Sequence, residues 1–494
     1  MRRYHIAGCE NDRDTSQTFA NYFDRKVKRI CKELDDNASH LPIDASERPC
    51  CSANIKLSSL KPATTTEIKQ TVLKANNTSC DLDIWPTSFM KKFIDILSAP
   101  ISLIINQSLK TGIVPQSFKT AIVIPTLKEP NLDPSCPSSY RPISNLSFLS
   151  KILEKIVYSR IESHLSANNL LSPSQSAYRK HHSTETSLLK VTNDILLSLD
   201  EGKSVLLVTL DVSAAFDTVN HSMLLRRYER EFGITGTTLN WMTSYLDNRV
   251  QAVQIGTSTS TPYSSENGFP QGSVLGGPKF SIHTTPLDSL VRGHGVEDQC
   301  YADDSNLYIT LDMENTIESH EQLRKIENCL SDVSDWMLRN RLKVNAGKTK
   351  SILFSPRTRM PFADTTIKFD GSEIIASDKL KSLGVFIDKN MTLEKQVNYT
   401  VSSAWLQLRK ISKVRNQLSC KVAETLVNTL VTSRLDYCNS LLCCLPAKLL
   451  KKLQKVQNAS AKTVLLARKR SHVTPLLKRL HWLPIDLRCK YKVL

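Results

Sequence analysis

Two adjacent carboxylates, Asp303 and Asp304, stand in the segment Tyr301-Ala302-Asp303-Asp304, with Gln299–Cys300 before it and Leu307–Ile309 after it. Apolar or β-prone residues on both sides predict a hairpin whose tip carries the acids. A third carboxylate, Asp211, stands near the end of Ser204–Val212 (S-V-L-L-V-T-L-D-V), a continuous apolar run that reads as a buried strand. Burying a carboxylate there is costly unless a cation pairs with it. Adjacent carboxylates repel, so a site that gathers three of them asks for divalent metal. Mg²⁺ is hard, prefers oxygen ligands and usually shares its sphere with substrate phosphates. Two such ions roughly 3.5–4 Å apart can activate a hydroxyl nucleophile and stabilise a leaving pyrophosphate. Each piece alone has a plainer reading: an Asp-Asp in a turn is usually a solvated turn or helix cap, and a lone Asp at a strand end is usually structural. The inference comes from combination and order. Between the acids lies Gly268-Phe269-Pro270-Gln271-Gly272-Ser273-Val274-Leu275-Gly276, a Gly/Pro turn followed by small residues, which lets backbone approach a ligand closely.

The elements that must position these residues follow from periodicity. Residues 1–60 are polar apart from one amphipathic stretch, Phe19–Leu34, in which Phe19, Tyr22, Phe23, Val27, Ile30 and Leu34 recur at helical spacing. Residues 35–60, with Pro42, Pro49 and the pair Cys50–Cys51, read as a linker. A Thr-x-x-Glu capping signal at Thr64 and Glu67 opens a helix near Thr66–Asn76, and a second helical region covers Phe89–Lys110. Thr120–Leu127 (T-A-I-V-I-P-T-L) reads as a strand ended by Pro125. Ile152, Leu153, Ile156, Val157 and Ile161 mark an amphipathic helix. Strands, turns and helices alternate to about residue 390, and from Val397 the pattern is helical and basic.

The chain has 494 residues, 40% of them hydrophobic and 23% charged, enough apolar material for a large core in two to four structural units. No apolar run reaches the roughly 18 residues that span a bilayer, and no secretory signal follows Met1, so an intracellular protein without a membrane segment is expected. The thirteen cysteines form no C-x-x-C and no zinc spacing, as reduced thiols would. Formal net charge is +17, and residues 401–494 hold 19 Lys and Arg against 3 Asp and Glu, so nearly all of it sits there. Such a segment attracts a polyanion by counterion release, although a solvated helical face would look the same.

Asp211, then Pro270-Gln271-Gly272, then Tyr301-Ala302-Asp303-Asp304 resembles the A, B and C motif series of reverse transcriptases. Ser139-Tyr140-Arg141-Pro142-Ile143-Ser144 resembles the first fingers motif of that family. Gln175-Ser176-Ala177-Tyr178-Arg179-Lys180 with His182-Ser183-Thr184-Glu185-Thr186 resembles the second. Asp211-Val212-Ser213-Ala214-Ala215-Phe216-Asp217 and Asn220-His221 resemble the retrotransposon form of motif A. Trp336-Met337, Leu342-Lys343-Val344-Asn345 and Lys348-Thr349 resemble motif D, and Leu383-Gly384-Val385 resembles motif E, the primer grip. Ser433-Arg434-Leu435-Asp436-Tyr437-Cys438-Asn439 and His481-Trp482-Leu483-Pro484 resemble the helical region after the polymerase. The series covers about residues 15–494 and is similar to the Jockey/CR1/L2-like group of non-LTR (LINE-type) retrotransposons.

The resemblance implies an α+β right-hand polymerase, fingers and palm with an antiparallel sheet, followed by a mostly helical thumb and C-terminal region. The expected divisions are a linker remnant at 1–60, a helical pre-fingers region at 61–110, fingers and palm at 111–390, and a basic helical region at 391–494. The implied activity is RNA-directed DNA polymerization, with RNA template, DNA primer and dNTPs as partners and two Mg²⁺ ions, replaceable by Mn²⁺. By resemblance, Asp211 and Asp303 bind both metals, Asp304 is the third carboxylate, and the Val212 carbonyl is a further ligand. Phe216 stands at the position of an aromatic gate against a ribose 2′-hydroxyl. Gln271 would touch the nucleotide sugar, and Arg179 would clamp the triphosphate with its planar donor fork. Lys348 would act as general acid for pyrophosphate. Lys128 and Arg141 are fingers candidates or merely exposed bases. Tyr301, Leu383, Gly384, Lys451, Lys452 and Lys455 would face template–primer, with Arg468-Lys469-Arg470 as further candidates; hybrids are gripped largely through phosphates and shape.

Some positions depart from the family pattern. Ala177 stands where Gly is usual, Asn220 where Asp is common, and Lys350 where Glu is common. Gly277-Pro278-Lys279 puts a helix breaker and a charge where apolar residues normally pack. Nothing in residues 1–150 resembles the endonuclease of full elements, and a truncated copy is expected. A catalytically inactive remnant that still binds nucleic acid is therefore the second reading. An intron maturase or telomerase-like enzyme is a third, against which the 183–186 and 433–437 segments speak. An intact element would need nuclear access.

Overall fold

The computed structural model describes Tyr4, Ile6 and residues 8–38, 55–312, 315–356 and 366–494, except residues 79, 214 and 444. The expected linker largely falls outside the described residues, as do Cys50, Cys51 and Cys444. The chain divides into two compact units, each assembled from separate stretches: residues 1–173, 212–289 and 332–344 form one, and 174–211, 290–331 and 345–494 the other. Among the described residues no helix is long and apolar enough to cross a membrane, and the ten described cysteines are all free.

The first unit is built on a small sheet. Strand Tyr140–Leu146 pairs antiparallel with Thr120–Leu127, which pairs parallel with Val250–Ile255, and short strands at Ser258–Thr259 and Tyr263–Ser264 complete it. Helix Asp12–Ala38 lies on this sheet, with Phe19 and Phe23 packed against Val123, Tyr140 and Val253. It is longer than the apolar stretch Phe19–Leu34 suggested, and Lys343 and Arg341 of the same unit pair with its Glu33 and Asp35. Helix Phe148–Ala167 buries the five apolar residues that its period singled out.

Three local expectations change. Pro125 does not end its strand: it sits opposite Pro142 inside the antiparallel ladder. The parallel partner reaches only Val123, so the missing Pro125 N–H costs no bond on that side. The expected helix over Phe89–Lys110 is two helices, Thr87–Lys92 and Ile94–Thr111, broken at Phe93. Gly277-Pro278-Lys279 does not break a helix; it opens one, Gly276–Thr284, placing Pro278 in the first turn, where no intrahelical N–H bond is lost.

The second unit carries a four-stranded antiparallel sheet in the order Lys350–Phe354, Ser204–Leu210, Asp304–Leu311, Glu297–Tyr301. Val205, Leu206, Leu207 and Val208 are at most 1% exposed, which explains the unbroken apolar run: the central strand is covered on both faces. Helix Thr184–Asp200 starts at a capping box formed by Ser183 and Thr186 and packs Leu188, Val191 and Ile195 onto the sheet. Hairpins Thr366–Phe369/Ser372–Ile375 and Lys379–Ser382/Val385–Asp388 follow. Helices Glu394–Val414, Cys420–Val427, Ala447–Leu465 and Ile485–Val493 then extend the same apolar core through Val397, Leu408, Val427, Leu453, Val456 and Ile485. This is the helical basic region that the sequence announced.

Candidate active site

All three carboxylates lie at one end of the second unit's sheet. Asp211 follows Leu210 directly, one residue past the strand. The antiparallel register pairs Leu210 with Ser305, so the next step along the ladder sets Asp211 beside Asp304. Tyr301 pairs with Asp304, leaving Ala302 and Asp303 as a two-residue turn. Partial desolvation, then Asp303, then Asp211 push the Asp304 carboxyl up to about 6, as like charges at close quarters must. Lys348 Nζ lies 3.4 Å from Asp211 Oδ2, and Asn345 N–H donates to the Asp211 carbonyl at 2.9 Å. The lysine side chain is 67% exposed, so the pair is worth about 1 kcal/mol or less.

The turn is held from one side. The segment 174–176 runs parallel to the hairpin: Cys300 N–H donates to Ser174 O and Ser176 N–H to Cys300 O, each at 2.9 Å. The Gln175 amide reaches the turn itself, a connection that the sequence reading did not anticipate. Arg179, three residues beyond Ser176, is half-buried and its Nη1 donates to Gln175 O at 3.4 Å. Tyr178 stands close enough to Asp303 and Tyr301 for both to raise its hydroxyl pKa, after burial.

The remaining nucleotide candidates belong to the first unit. Val212 is buried and pairs with Val344. Phe216 is half-buried, its ring stacked on Phe280 at 5.0 Å. Gln271 Nε2 donates to Asp217 Oδ1 at 3.1 Å, and the Gln271 carbonyl accepts from Ser144 N–H at 2.7 Å. The loop 268–272 is strapped to the motif-A segment: Phe269 N–H donates to Phe216 O, and Gly268 N–H to Val219 O, both at 2.8 Å. Gly268 (φ +69) and Gly272 (φ +124) are left-handed, and a Cβ on either would collide with backbone, of Phe216 and Asp217 in one case and Ser144 in the other. Glu154 Oε2 accepts from Val274 N–H at 2.7 Å and Leu275 N–H at 3.1 Å, fixing the end of the loop. Lys128 is exposed and its ammonium donates to Ser138 O at 2.7 Å; Arg141 is exposed on its strand.

Burial raises the Asp217 pKa, and Lys26, the Gln271 bond and Lys128 lower it less.

The template–primer candidates are spread over the second unit. Leu383 (φ 45) and Gly384 (φ 83) form the turn of hairpin Lys379–Asp388, both left-handed as a tight hairpin prefers. Tyr437 Oη donates to Leu383 O at 2.6 Å, and its ring lies against Gly384. Lys451 and Lys455 are exposed on helix Ala447–Leu465, whereas Lys452 turns to Asn398 Oδ1 (2.8 Å) and Glu394 (3.3 Å). Arg468, Lys469 and Arg470 are exposed.

Among the described residues no group of three or more His, Cys, Asp and Glu side chains converges into a metal-binding cluster. The donor chemistry nonetheless fits hard cations: three carboxylates at one sheet edge, with burial, then Asp303, then Asp211 raising the proton affinity of Asp304.

The antiparallel sheet thus brings one strand-end carboxylate and two at a hairpin tip to the same edge. Residues 127–387 match the family described as reverse transcriptase (RNA-dependent DNA polymerase), and the chain belongs to that family. Its similarity is to enzymes of non-LTR retrotransposons. It is 28% identical over 324 residues to the probable RNA-directed DNA polymerase from transposon BS of Drosophila melanogaster, covering 65% of this chain and 35% of that protein. It is 25% identical over 420 residues to the RNA-directed DNA polymerase from mobile element jockey of Drosophila funebris, covering 83% and 44%. The X-element polymerase of Drosophila melanogaster is 25% identical over 356 residues, covering 72% and 36%. The chain thus spans less than half the length of these relatives. The family generally uses divalent metal ions.

Proposed function

We propose that this chain is the RNA-directed DNA polymerase core of a LINE-type retrotransposon, joining dNTPs to a primer 3′-hydroxyl on an RNA template. The observation that supports it most is the register that sets Asp211 beside Asp304 one residue from the Asp303 turn. In the reaction the 3′-oxygen attacks the α-phosphorus, a new P–O bond forms, and pyrophosphate leaves. Asp211, Asp303 and Asp304, with the Val212 carbonyl, are the residues that would hold two Mg²⁺ ions, or Mn²⁺ in their place. Bound there, such ions lower the pKa of the attacking hydroxyl and neutralise the leaving group.

The chain's own residues supply the rest. Phe216, its ring fixed against Phe280, excludes a 2′-hydroxyl. Gln271, oriented by Asp217, contacts the sugar. Arg179 clamps the triphosphate, with Lys128 and Arg141 as weaker fingers contacts. Lys348, already beside Asp211, moves a proton to the departing pyrophosphate. Tyr301, Leu383 and Gly384 guide the primer, and Lys451 and Lys455 with Lys452 meet hybrid phosphates. In this reading residues 1–60 are a linker remnant, 61–110 a helical pre-fingers region, 111–390 fingers and palm, and 391–494 thumb and C-terminal region. Use on chromosomal DNA would require nuclear access.

The test is primer extension on poly(rA)/oligo(dT) with dTTP and Mg²⁺, beside Asp303→Ala/Asp304→Ala. Extension by the native chain and none by the double variant supports the reading. A native chain that binds hybrid in a salt-sensitive way but does not extend it would instead identify an inactive copy.

A further inference from the structure

Ala302 carries the turn on which Asp303 stands, with φ 58, a left-handed conformation that a residue with a Cβ adopts at a cost. Such a turn persists only if its surroundings hold it. Gln175 does so from 127 residues away in sequence. Its Oε1 accepts from Ala302 N–H at 2.9 Å, and its Nε2 donates to Ala302 O at 3.2 Å, so one side-chain amide satisfies both polar groups of the strained residue. The same Oε1 accepts from Ala177 N–H at 3.0 Å. That second bond fixes the direction in which the amide points.

Gln175 is itself locked. It is 7% exposed, and its backbone forms a parallel bridge with Cys300. Gln299 Nε2 donates to Ser174 O and Ser176 Oγ, both at 2.8 Å, and Ser174 Oγ donates to Asp298 Oδ1 at 2.7 Å. A rigid strap therefore runs alongside the hairpin, with one side chain extended to its tip. A turn that must hold a carboxylate within a fraction of an ångström gains from such support.

We propose that Gln175 is a positioning residue for the Asp303–Asp304 turn, holding Ala302 left-handed so that the carboxylates stand in reactive geometry. The inference rests on the polymerase reading above for its catalytic consequence, but not for the clamp itself. Gln175→Ala removes the clamp. Gln175→Glu keeps the volume and the acceptor but loses the donor to Ala302 O and adds a charge beside the carboxylates. Both should lower kcat in primer extension by about ten- to a hundredfold, the scale of a misplaced catalytic group. Hybrid affinity and the dNTP KM should move less than about twofold, because neither is bound by Gln175. The metal concentration for half-maximal rate should rise.

The discriminating variant is Gln175→Ala/Ala302→Gly. Glycine adopts positive φ freely, so the double variant should recover much of the kcat that Gln175→Ala loses. A residue needed only for general stability would gain nothing from a more flexible turn. Amide hydrogen exchange of a peptide spanning residues 299–305 gives a readout without catalysis, and Gln175→Ala should accelerate it while thermal unfolding of the whole chain shifts little. Unchanged exchange, a kcat within twofold of native, or a double variant no better than the single one would each overturn the proposal. A native chain inert in extension, with exchange still accelerated in Gln175→Ala, would sink the polymerase reading while leaving the clamp standing.

Discussion

Lys279 is the residue whose removal should help the protein. It is 1% exposed in helix Gly276–Thr284, and its Nζ sits 3.5 Å from the centroid of the Tyr245 ring and 5.7 Å from that of Phe269. Among the described residues the ammonium finds no hydrogen-bond partner. Tyr245 already carries the Arg249 guanidinium at 4.6 Å from its centroid, so two cations share one ring. A desolvated cation–π contact returns about 2 kcal/mol, whereas burying an ammonium costs several kcal/mol. Desolvation wins: burial drives the Lys279 pKa well below the usual lysine range, Arg249 adds to the fall, and Glu154 opposes it.

Lys279→Met keeps an unbranched chain of similar length and removes the charge. It should raise the unfolding free energy by about 1–3 kcal/mol at pH 7, or about 2–4 °C in Tm per kcal/mol. A folded pKa below the unfolded 10.5 means that the unfolded chain binds the extra proton. The native protein's penalty is thus absent above 10.5 and fully present below the folded pKa, so its stability climbs as pH rises through that window. The Met variant should lack that climb. Urea unfolding followed by circular dichroism at pH 7 and pH 9.5 measures both. A variant less stable than native by 1 kcal/mol or more at pH 7 would refute the reasoning, by showing that Glu154 makes the buried ammonium a net asset.

His283 should make the first unit acid-sensitive. It is fully buried, its Nε2–H donates to Asn340 O at 3.1 Å, and its Nδ1 faces Arg227 Nη1 at 3.3 Å, an arrangement that needs the neutral ring. Burial, then Arg227, pushes its pKa down to about 3, so stability is intact above the unfolded value of 6.5 and declines as pH falls from there toward 3. The loss by pH 5 is about 2 kcal/mol, and urea midpoints at pH 7.5 and 5 in native and His283→Gln chains would reveal it as a slope that the variant lacks. Tyr437→Phe removes the bond to Leu383 O and should cost about 1 kcal/mol with shorter primer-extension products; unchanged product length would free the turn from Tyr437. Phe216→Ala should raise ribonucleotide incorporation relative to dNTP at least about tenfold, and an unchanged ratio would remove Phe216 from the gate.

Much of the framework around the candidate site was legible because its signals are local. The strand leading to Asp211 announced itself by an apolar run, the hairpin by β-prone residues flanking two acids, and the helix at Thr65–Lys74 by Thr64, whose Oγ1 does accept from Glu67 N–H. Hydrogen bonds between near neighbours leave marks in composition and period, and motif order supplied the family.

What the tertiary structure alone decided involves partners far apart in sequence. Whether Pro125 ends a strand depended on how far a parallel neighbour reaches. Whether Pro278 breaks a helix depended on where the helix begins. Glu154 holding the 274–275 amides, Tyr437 holding Leu383 and Gln175 holding Ala302 have no local signature. Each is a single polar side chain satisfying backbone 54 to 127 residues away, and only the packed fold brings donor and acceptor together. The sequence thus named the candidate residues, whereas the side chains that bond to their backbone from afar were chosen by the fold.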